Sequence, residues 1–465
     1  MYTEKNASTE SNGASAFLIE QEINTNPISV IDGPADPGKR VITLDILRGI
    51  AVLSILLLNI YPFASPSLLF DVPVGIPKQA FTGSHAILDH CIVWLTWFFA
   101  EGKMRSLFSI LFGAGVIMIT ERYEKGGKLS KAASIFYRRN IWLLVIGLCH
   151  GVLLFPGDIL VDYSILAMLV LFFLRKIPAR YLLTIGTIVW VVLGTAGILN
   201  AFGISNDTLK AETEFQSAIK AGSHANKAQK ILLEKAVKAA EAATSGVKQQ
   251  VEADHVGYWD SFADRANSEI GFLMFKSSGL FISYLGAMIF GMGLYKSGFL
   301  TNQKSVSKYS WVMIGGYAIT FLLTGIGLWE LQHSGYSALV FAKWLWIPYC
   351  IQVFAGTLAN LSLILLLLRI NLLKRLFMPF ANVGRMALTN YILTSLICGW
   401  VFSWGPFKFY GKLEFYQWYC VVGCVWFINL IFSWIWLRYF RFGPVEWIWR
   451  CLTYWKLQPL RNSTV

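Results

Sequence analysis

Residues 44–60 read LDILRGIAVLSILLLNI, an apolar run with the length and composition of a membrane-spanning helix. Comparable runs recur as far as residue 437. The chain of 465 residues is 55% hydrophobic and only 14% charged, whereas soluble domains carry about 25% charged residues. In lipid, backbone groups find partners only within a helix or a closed barrel. Because the alternating pattern of barrel strands is absent, the sequence predicts an all-α, polytopic helical membrane protein.

The positions of the basic residues predict how many segments cross. Lys and Arg gather at 122–139, 175–180, 296–308, 369–385 and 438–461, which marks these stretches as cytoplasmic. Lys39 and Arg40 place the N-terminus on the same side. Ten spans with both termini in the cytoplasm satisfy these positions if the short segment 86–100 re-enters or lies at the interface, since a span needs about 20 apolar residues. Eleven spans with an outside N-terminus are the alternative. The apolar segments are 44–62, 86–100, 106–120, 140–156, 159–174, 181–202, 270–294, 309–329, 337–368, 386–404 and 416–437.

Composition divides the chain into four parts. Residues 1–40 are polar and predict a disordered cytoplasmic tail, and an N-terminal membrane bundle follows over 41–202. Residues 203–268 are nearly neutral and rich in helix formers, which predicts a helical extracytoplasmic insertion. A C-terminal membrane domain occupies 269–465. Cytoplasmic loops explain the net charge of +13 better than nucleic-acid binding does, and the cysteines show no metal-binding spacing.

The first candidate site lies on the first span. Asp45 and Arg48 are three residues apart and can meet on one helix face. They either fix the depth of the span or form an anion-binding site at the cytoplasmic surface. Asn59 follows Arg48 by eleven residues, close to three turns, so it shares that face and lies roughly 16 Å further along the axis. An amide in a span can also serve helix packing.

The second candidate site is the stretch GLCHGVLLFPGDILVDYSIL, residues 147–166. His150 is six residues before the turn at Pro156 and Asp162 is six after it, so an antiparallel pair of helices puts them at similar depth. Asp158 and Asp162 are four apart and are expected on one helix face. A histidine beside a carboxylate is the usual arrangement of an oriented general base. A buried histidine bonded to a backbone carbonyl is the structural alternative.

The third candidate site holds Glu101, Lys103 and Arg105 in FFAEGKMRSLF, residues 98–108. Three charges between two apolar runs suit either a break that lines a polar, substrate-binding cavity or a simple surface loop. Phosphate-binding, dinucleotide-binding, zinc-protease and nucleophile-elbow motifs are missing from the sequence. ATP-driven pumping, dinucleotide chemistry and zinc proteolysis therefore have no sequence support.

Several of these stretches resemble, in family order, the signatures of the YeiB-like bacterial inner-membrane proteins, whose C-terminal part is the domain of unknown function 418. The resemblance implies a multi-pass protein of the bacterial inner membrane and leaves its activity open. The matching stretches are RVITLDILRGIAVLSILLLNI, FFAEGKMRSLFSILFGAG, RRNIWLLVIGLCHG with GDILVDYSIL, GRMALTNYILTSL and FRFGPVEWIWRCLTYWK.

The first span also resembles, more distantly, the first helix of transmembrane acyltransferases. These include the lysosomal heparan-glucosaminide acetyltransferase and bacterial O-acyltransferases of surface glycans. The bacterial group has an Arg followed eleven residues later by His. Arg48 matches the Arg, and Asn59 stands at the His position. The lysosomal enzyme has Asn there and its His further along the outer side, a role for which His85 and His150 are the candidates here.

Acyl transfer is the first predicted function. An acyl-CoA donor docks from the cytoplasm, and an envelope glycan or a small molecule accepts the acyl group. Arg48 binds the donor phosphates, since guanidinium groups suit bidentate phosphate binding. Lys39, Arg40 and Arg385 are further cations for this task.

Catalysis in this prediction falls to a histidine, His150 ahead of His85, as general base or acyl carrier. Asp158 or Asp162 orients it. Asn59 donates to the developing oxyanion. No resident cofactor is implied.

The second predicted function is transport of a small anionic solute or a lipid-linked intermediate. In that case Arg48, Glu101, Lys103 and Asp158 line a path through the bundle, and no covalent step occurs. A structural membrane partner without chemistry is a third prediction.

Overall fold

The computed structural model of the chain describes residues 41–65, 84–124, 129–201, 206–224, 280–334 and 337–462, with short pieces between 226 and 267. The predicted disordered tail and much of the predicted insertion lie outside these residues. Within them every regular element is a helix, and one isolated bridge joins Phe440 to Arg461. The predicted all-α class is confirmed.

Helices α5, α6 and α13 each contain a π-helical turn. In chain order the helices are α1 (Ile42–Ala64), α2 (Ala86–Phe99), α3 (Lys103–Glu124), α4 (Leu129–Leu153), α5 (Leu160–Leu174), α6 (Ala179–Asn200), α7 (Asn206–Ala221), α8 (Leu280–Lys296), α9 (Val306–His333), α10 (Ala338–Phe341), α11 (Tyr349–Leu367), α12 (Asn371–Arg385), α13 (Ala387–Trp404), α14 (Phe415–Tyr439) and α15 (Pro444–Tyr454).

Eight helices of the described chain are long and apolar enough to cross a membrane, with α2 and α3 taken together as one of them. Two shorter apolar helices, α5 and α8, bring the set to ten. The 23 residues of α1 extend over about 34 Å, enough for a hydrocarbon core of about 30 Å. The protein is therefore polytopic, as its composition predicts.

The connections between these helices gather at two ends of the bundle. At one, named here the basic end, Arg175 after α5 pairs with Glu124 of α3 (Nε to Oε1, 2.8 Å), and Lys296 of α8 donates to the Ile177 carbonyl (2.9 Å). At the opposite end, Phe63 of α1 stacks on Phe155, just after α4, with 4.5 Å between the ring centroids. Helices α1, α4 and α13 all start at the basic end and run towards the opposite end.

Helices α2 and α3 form one broken helix. Gln332 at the end of α9 bonds to His90 (Nε2 to Nδ1, 3.1 Å), and Phe321, three turns earlier on α9, packs on Phe98 at 4.8 Å. α2 thus runs antiparallel to α9 from the opposite end towards the middle of the bundle, and α3 continues to the basic end. Residues 86–100, which the sequence predicts to re-enter or to lie at the interface, form the first half of this broken helix.

Helices α1 and α12 lie backbone to backbone at two glycines. A Cβ built on Gly384 would lie 1.8 Å from the Asp45 carbonyl oxygen, and one on Gly49 would lie 1.9 Å from the Phe380 carbonyl oxygen. Small residues allow this close approach where packing, rather than expulsion of water, holds helices together. The contact fixes the part of α1 that carries Arg48 against the C-terminal half of the chain.

Helix α15 caps the start of α13. The buried Glu446 carboxylate accepts the backbone N–H groups of Leu388 (2.7 Å) and Thr389 (3.1 Å), which lack partners inside their own helix. Burial raises the pKa of the Glu446 carboxyl, and the hydrogen bonds from Thr389 and Leu388 oppose that rise. The two helices are thereby joined at the basic end.

Candidate active site

A buried histidine and a buried aspartate meet at the turn between α4 and α5. Nδ1 of His150 lies 2.9 Å from Oδ2 of Asp158, and the two side chains are 1% and 0% exposed. His150 belongs to the last turn of α4 and Asp158 to the loop that follows it. The short connection therefore brings these two predicted site residues into contact.

Asp158 is held by four donors. Its Oδ1 accepts the N–H groups of Leu160 (2.6 Å) and Val161 (3.1 Å) at the start of α5, and its Oδ2 accepts the Tyr391 hydroxyl (3.0 Å) as well as His150. A carboxylate in its ionised form only accepts hydrogen bonds, so in that form each of these partners is a donor. Nδ1 of His150 therefore carries the proton of the bond to Asp158.

The other ring nitrogen of His150 reaches a serine on α13. Nε2 lies 2.9 Å from Oγ of Ser395, a side chain in a residue only 4% exposed. In the neutral imidazole with Nδ1–H bonded to Asp158, Nε2 is an acceptor and the Ser395 hydroxyl donates to it. Asp158, His150 and Ser395, named here the triad, thus stand in the order in which a carboxylate orients a base and the base activates a hydroxyl.

Two neighbours hold the triad in place. Tyr391, one turn before Ser395 on α13, bonds to Asp158 and lies with its ring 4.7 Å from the imidazole. Gly147, one turn before His150 on α4, leaves room for the aspartate, since a Cβ there would lie 2.8 Å from Asp158 Oδ1. Each of the two helices therefore supplies one member of the triad and one residue that fits around it.

Asp162 is buried in the first turn of α5. Asp158 precedes that helix and caps it, so the predicted common helix face of Asp158 and Asp162 does not exist. Both ring nitrogens of His150 are bonded to other groups. Of the two predicted carboxylates, Asp158 is the one that orients the histidine.

The polar face of α1 carries Asp45, Arg48 and Asn59. Arg48 pairs with Asp45 (NH1 to Oδ1, 3.2 Å), as the spacing predicts, and keeps 30% of its side chain exposed. Ile55, one turn before Asn59, packs in the same apolar cluster as Tyr391. Asn59 itself is half-buried.

Helix α4 repeats the spacing of α1. Arg139 precedes His150 by eleven residues, so both lie on one face of α4, roughly 16 Å apart along the axis. The Arg139 guanidinium stacks on Trp449 of α15 at 3.7 Å, and the Trp449 indole N–H donates to the Arg139 carbonyl (2.9 Å). The positive charges of Arg450 and Arg48 act on Arg139. Cations from α1, α4 and α15 therefore converge at the basic end.

The charges at the break between α2 and α3 have two roles. Lys103 is buried and donates to the carbonyls of Trp97 (2.7 Å) and Glu101 (3.3 Å), which satisfies the end of α2. Glu101 accepts the Tyr349 hydroxyl (2.8 Å) and pairs with Arg105 at 3.5 Å. Arg105 lines a small cavity beside Tyr349. The three predicted substrate-binding charges thus bond to groups at the break itself.

His85 lies exposed at the start of α2, with its ring 4.6 Å from that of Tyr416 on α14. His150 is held at the triad by Asp158 and Ser395. The structure therefore keeps the two predicted histidines apart, and His150 is the one with an orienting carboxylate.

Three residues of this arrangement are not predicted from the sequence: Ser395, Tyr391 and Arg139. Ser395 and Tyr391 are four apart in GRMALTNYILTSL, and such a polar pair inside an apolar span is a usable signal. Arg139 and His150 show the Arg-to-His spacing that the resemblance to bacterial acyltransferases expects on the first span, but on α4.

Comparison with protein-family models matches residues 294–456 to "Protein of unknown function (DUF418)". The chain is 31% identical over 455 residues to the "Uncharacterized protein YeiB" of Escherichia coli (strain K12), a match over 92% of this chain and 99% of that protein. It is 27% identical over 450 residues to the "Uncharacterized protein YxaH" of Bacillus subtilis (strain 168), over 93% and 98% of the two chains. No solved structure matches the chain. The family model contains Ser395 and Tyr391, whereas His150 and Asp158 lie in the part matched by the full-length relatives alone.

Proposed function

The chain belongs to the YeiB family, and we propose that it is a membrane acyltransferase of the bacterial inner membrane. The donor is an acyl-CoA that binds at the basic end, on the cytoplasmic side where both termini lie. The acceptor is a hydroxyl or amine of an envelope glycan or small molecule that approaches from the opposite end.

The observation that carries the proposal is the triad. A buried histidine held between a carboxylate and a hydroxyl, at 2.9 Å from each, is the arrangement that acyl transfer requires of a general base. Asp158 fixes the ring and its tautomer. Nε2 of His150 is thereby left free of a proton and able to accept one from an attacking hydroxyl.

The basic end supplies the donor site. Arg48 and Arg139 present guanidinium groups, which bind phosphate in a bidentate manner, and Trp449 offers an aromatic face beside them. Each of these arginines is followed, eleven residues on, by a polar residue nearer the opposite end. The extended pantetheine arm of CoA can cover the roughly 16 Å between the two levels.

Asn59 and His150 lie at similar depth, because each follows one of these neighbouring arginines by eleven residues on helices that run in the same direction. The Asn59 amide is therefore suited to donate a hydrogen bond to the oxyanion that forms at the acyl carbon. In this proposal His150 handles the proton and Asn59 the developing negative charge.

Transport is the second candidate, and the broken helix α2–α3 favours it. Breaks of this kind with ionisable groups beside them are typical of transporter binding sites. At this break, however, Lys103 bonds to backbone carbonyls and Glu101 pairs with Arg105, so the charges are satisfied within the protein. Acyl transfer accounts for the triad, and transport does not.

The test is CoA release by protein reconstituted in vesicles of bacterial lipid with envelope glycans and acetyl-CoA. His150→Asn keeps a polar, uncharged side chain and removes the base, so CoA release should fall by about 10²-fold or more. His333→Asn, at the exposed end of α9, is the matched control and should retain the wild-type rate. Undiminished CoA release in the His150 variant, or solute flux without any CoA release in the wild type, contradicts the proposal.

A further inference from the structure

We infer that Ser395 carries the acyl group as a covalent ester between donor and acceptor, an inference that rests on the proposed acyl transfer. The protein would then work in two half-reactions. In the first the acyl group leaves CoA for Ser395, and in the second it leaves Ser395 for the acceptor.

The hydrogen bonding of Ser395 differs from that of Thr120 and Thr357, two other hydroxyls in the bundle. Thr120 and Thr357 donate to the carbonyl four residues earlier, at 2.9 Å and 2.6 Å, the usual partner for such residues in an apolar helix. The corresponding carbonyl is 3.5 Å from Ser395 Oγ, while His150 Nε2 is 2.9 Å away. The Ser395 hydroxyl is therefore directed to the base rather than to its own helix.

The proton balance of both half-reactions closes on the triad. Ser395 Oγ attacks the thioester carbonyl, its proton passes to Nε2 of His150, and the acyl–oxygen bond forms as the acyl–sulfur bond breaks. The imidazolium returns the proton to the departing sulfur, and CoA leaves as a thiol. An acceptor hydroxyl or amine then attacks the ester, its proton passes to Nε2 and from there to Ser395 Oγ, and the serine is restored.

The burial of Ser395 favours a covalent carrier. Ser395 and His150 are 4% and 3% exposed, so an ester on Ser395 is shielded from hydrolysis until the acceptor arrives. Helix α13 lets the donor and the acceptor use the site in turn, since Ser395 lies eight residues inside it, roughly 12 Å from its start at the basic end. Two substrates from opposite ends need not meet in one crowded pocket.

The experiment traps the ester. Purified wild-type protein is mixed with radiolabelled acetyl-CoA without acceptor and quenched in acid, and its peptides are sequenced by mass spectrometry. We expect one acetyl group on Ser395. Ser395→Ala should lose the label and lose acyl transfer by about 10³-fold or more, as triad nucleophiles do. Ser362→Ala, a buried serine on α11, is the control and should keep both.

Ser395→Cys keeps the inference falsifiable should the alanine variant fold poorly. It should accumulate a label that neutral hydroxylamine removes, because the ester becomes a thioester. Label on another residue, or acyl transfer by a folded Ser395→Ala protein at the wild-type rate, overturns the carrier and leaves the proposed acyl transfer standing. Absence of CoA release from the wild type under turnover conditions overturns both.

Discussion

His150 reaches Asp158 with one ring nitrogen and Ser395 with the other. A histidine kept only for packing would more simply bond a backbone carbonyl, the structural alternative that the sequence leaves open. Here both partners are side chains, and they come from a loop and from a helix 245 residues further on. The imidazole therefore links a carboxylate, which accepts hydrogen bonds, to a hydroxyl, which can give up a proton.

Arg139 is the residue at which the donor site can be tested. Arg139→Gln removes one guanidinium from the basic end, and loss of one charged hydrogen-bonding partner costs about 1.5–3 kcal/mol. KM for acetyl-CoA should rise about 10-fold or more with little change in kcat, because the arginine binds a part of the donor that does not react.

Arg438→Gln is the matched control, since Arg438 also stacks on a tryptophan, at 3.5 Å, but is exposed on α14. It should leave KM unchanged. Equal KM values for all three proteins, measured by CoA release over a range of acetyl-CoA concentrations, would exclude Arg139 from the donor site.

At the scale of elements, the sequence predicts the partners that lie close in the chain. His150 and Asp158 are separated by one tight connection, so reasoning about a hairpin finds the pair. It expects Asp162 as well, because the sequence does not show that Asp158 precedes α5 and caps it. The contact of Ser395 with His150 cannot be predicted, since no local pattern determines which of the ten apolar helices packs beside α4. The direction of α2 cannot be predicted from the sequence either, because only its contacts with α9 reveal it.

The contact between α1 and α12 predicts a difference between two glycines. Gly384→Ala places a methyl group 1.8 Å from a backbone carbonyl oxygen of α1, which no side-chain movement relieves. Overpacking of this kind costs about 1–3 kcal/mol, so the melting temperature in detergent should fall by several degrees.

Gly423→Ala on α14 is the control, because a Cβ there meets nothing within 4 Å. Its melting temperature should equal that of the wild type. Melting is measured as the loss of monodisperse protein on heating. Equal melting temperatures for the two variants would show that α1 and α12 are not in backbone contact.

At the scale of the whole molecule, the triad joins two parts of the chain that the sequence divides. His150 and Asp158 belong to the predicted bundle 41–202, and Ser395 belongs to the predicted domain 269–465. The same parts meet again where α1 packs on α12 and where α15 packs on α4. A site made this way depends on packing between both parts of the chain, and the basic end and the triad lie at different depths.

The different depths of the basic end and the triad predict that the acyl group crosses the membrane while CoA remains on the side of the basic end. Proteoliposomes would contain acceptor glycan inside and receive acetyl-CoA outside, with one radiolabel on the acetyl group and a second on the adenine. Molecules with the basic end outward should deliver the acetyl label to the glycan inside, while the adenine label stays outside as free CoA. His150→Asn should abolish the transfer. Entry of both labels together, or of neither, would contradict the account.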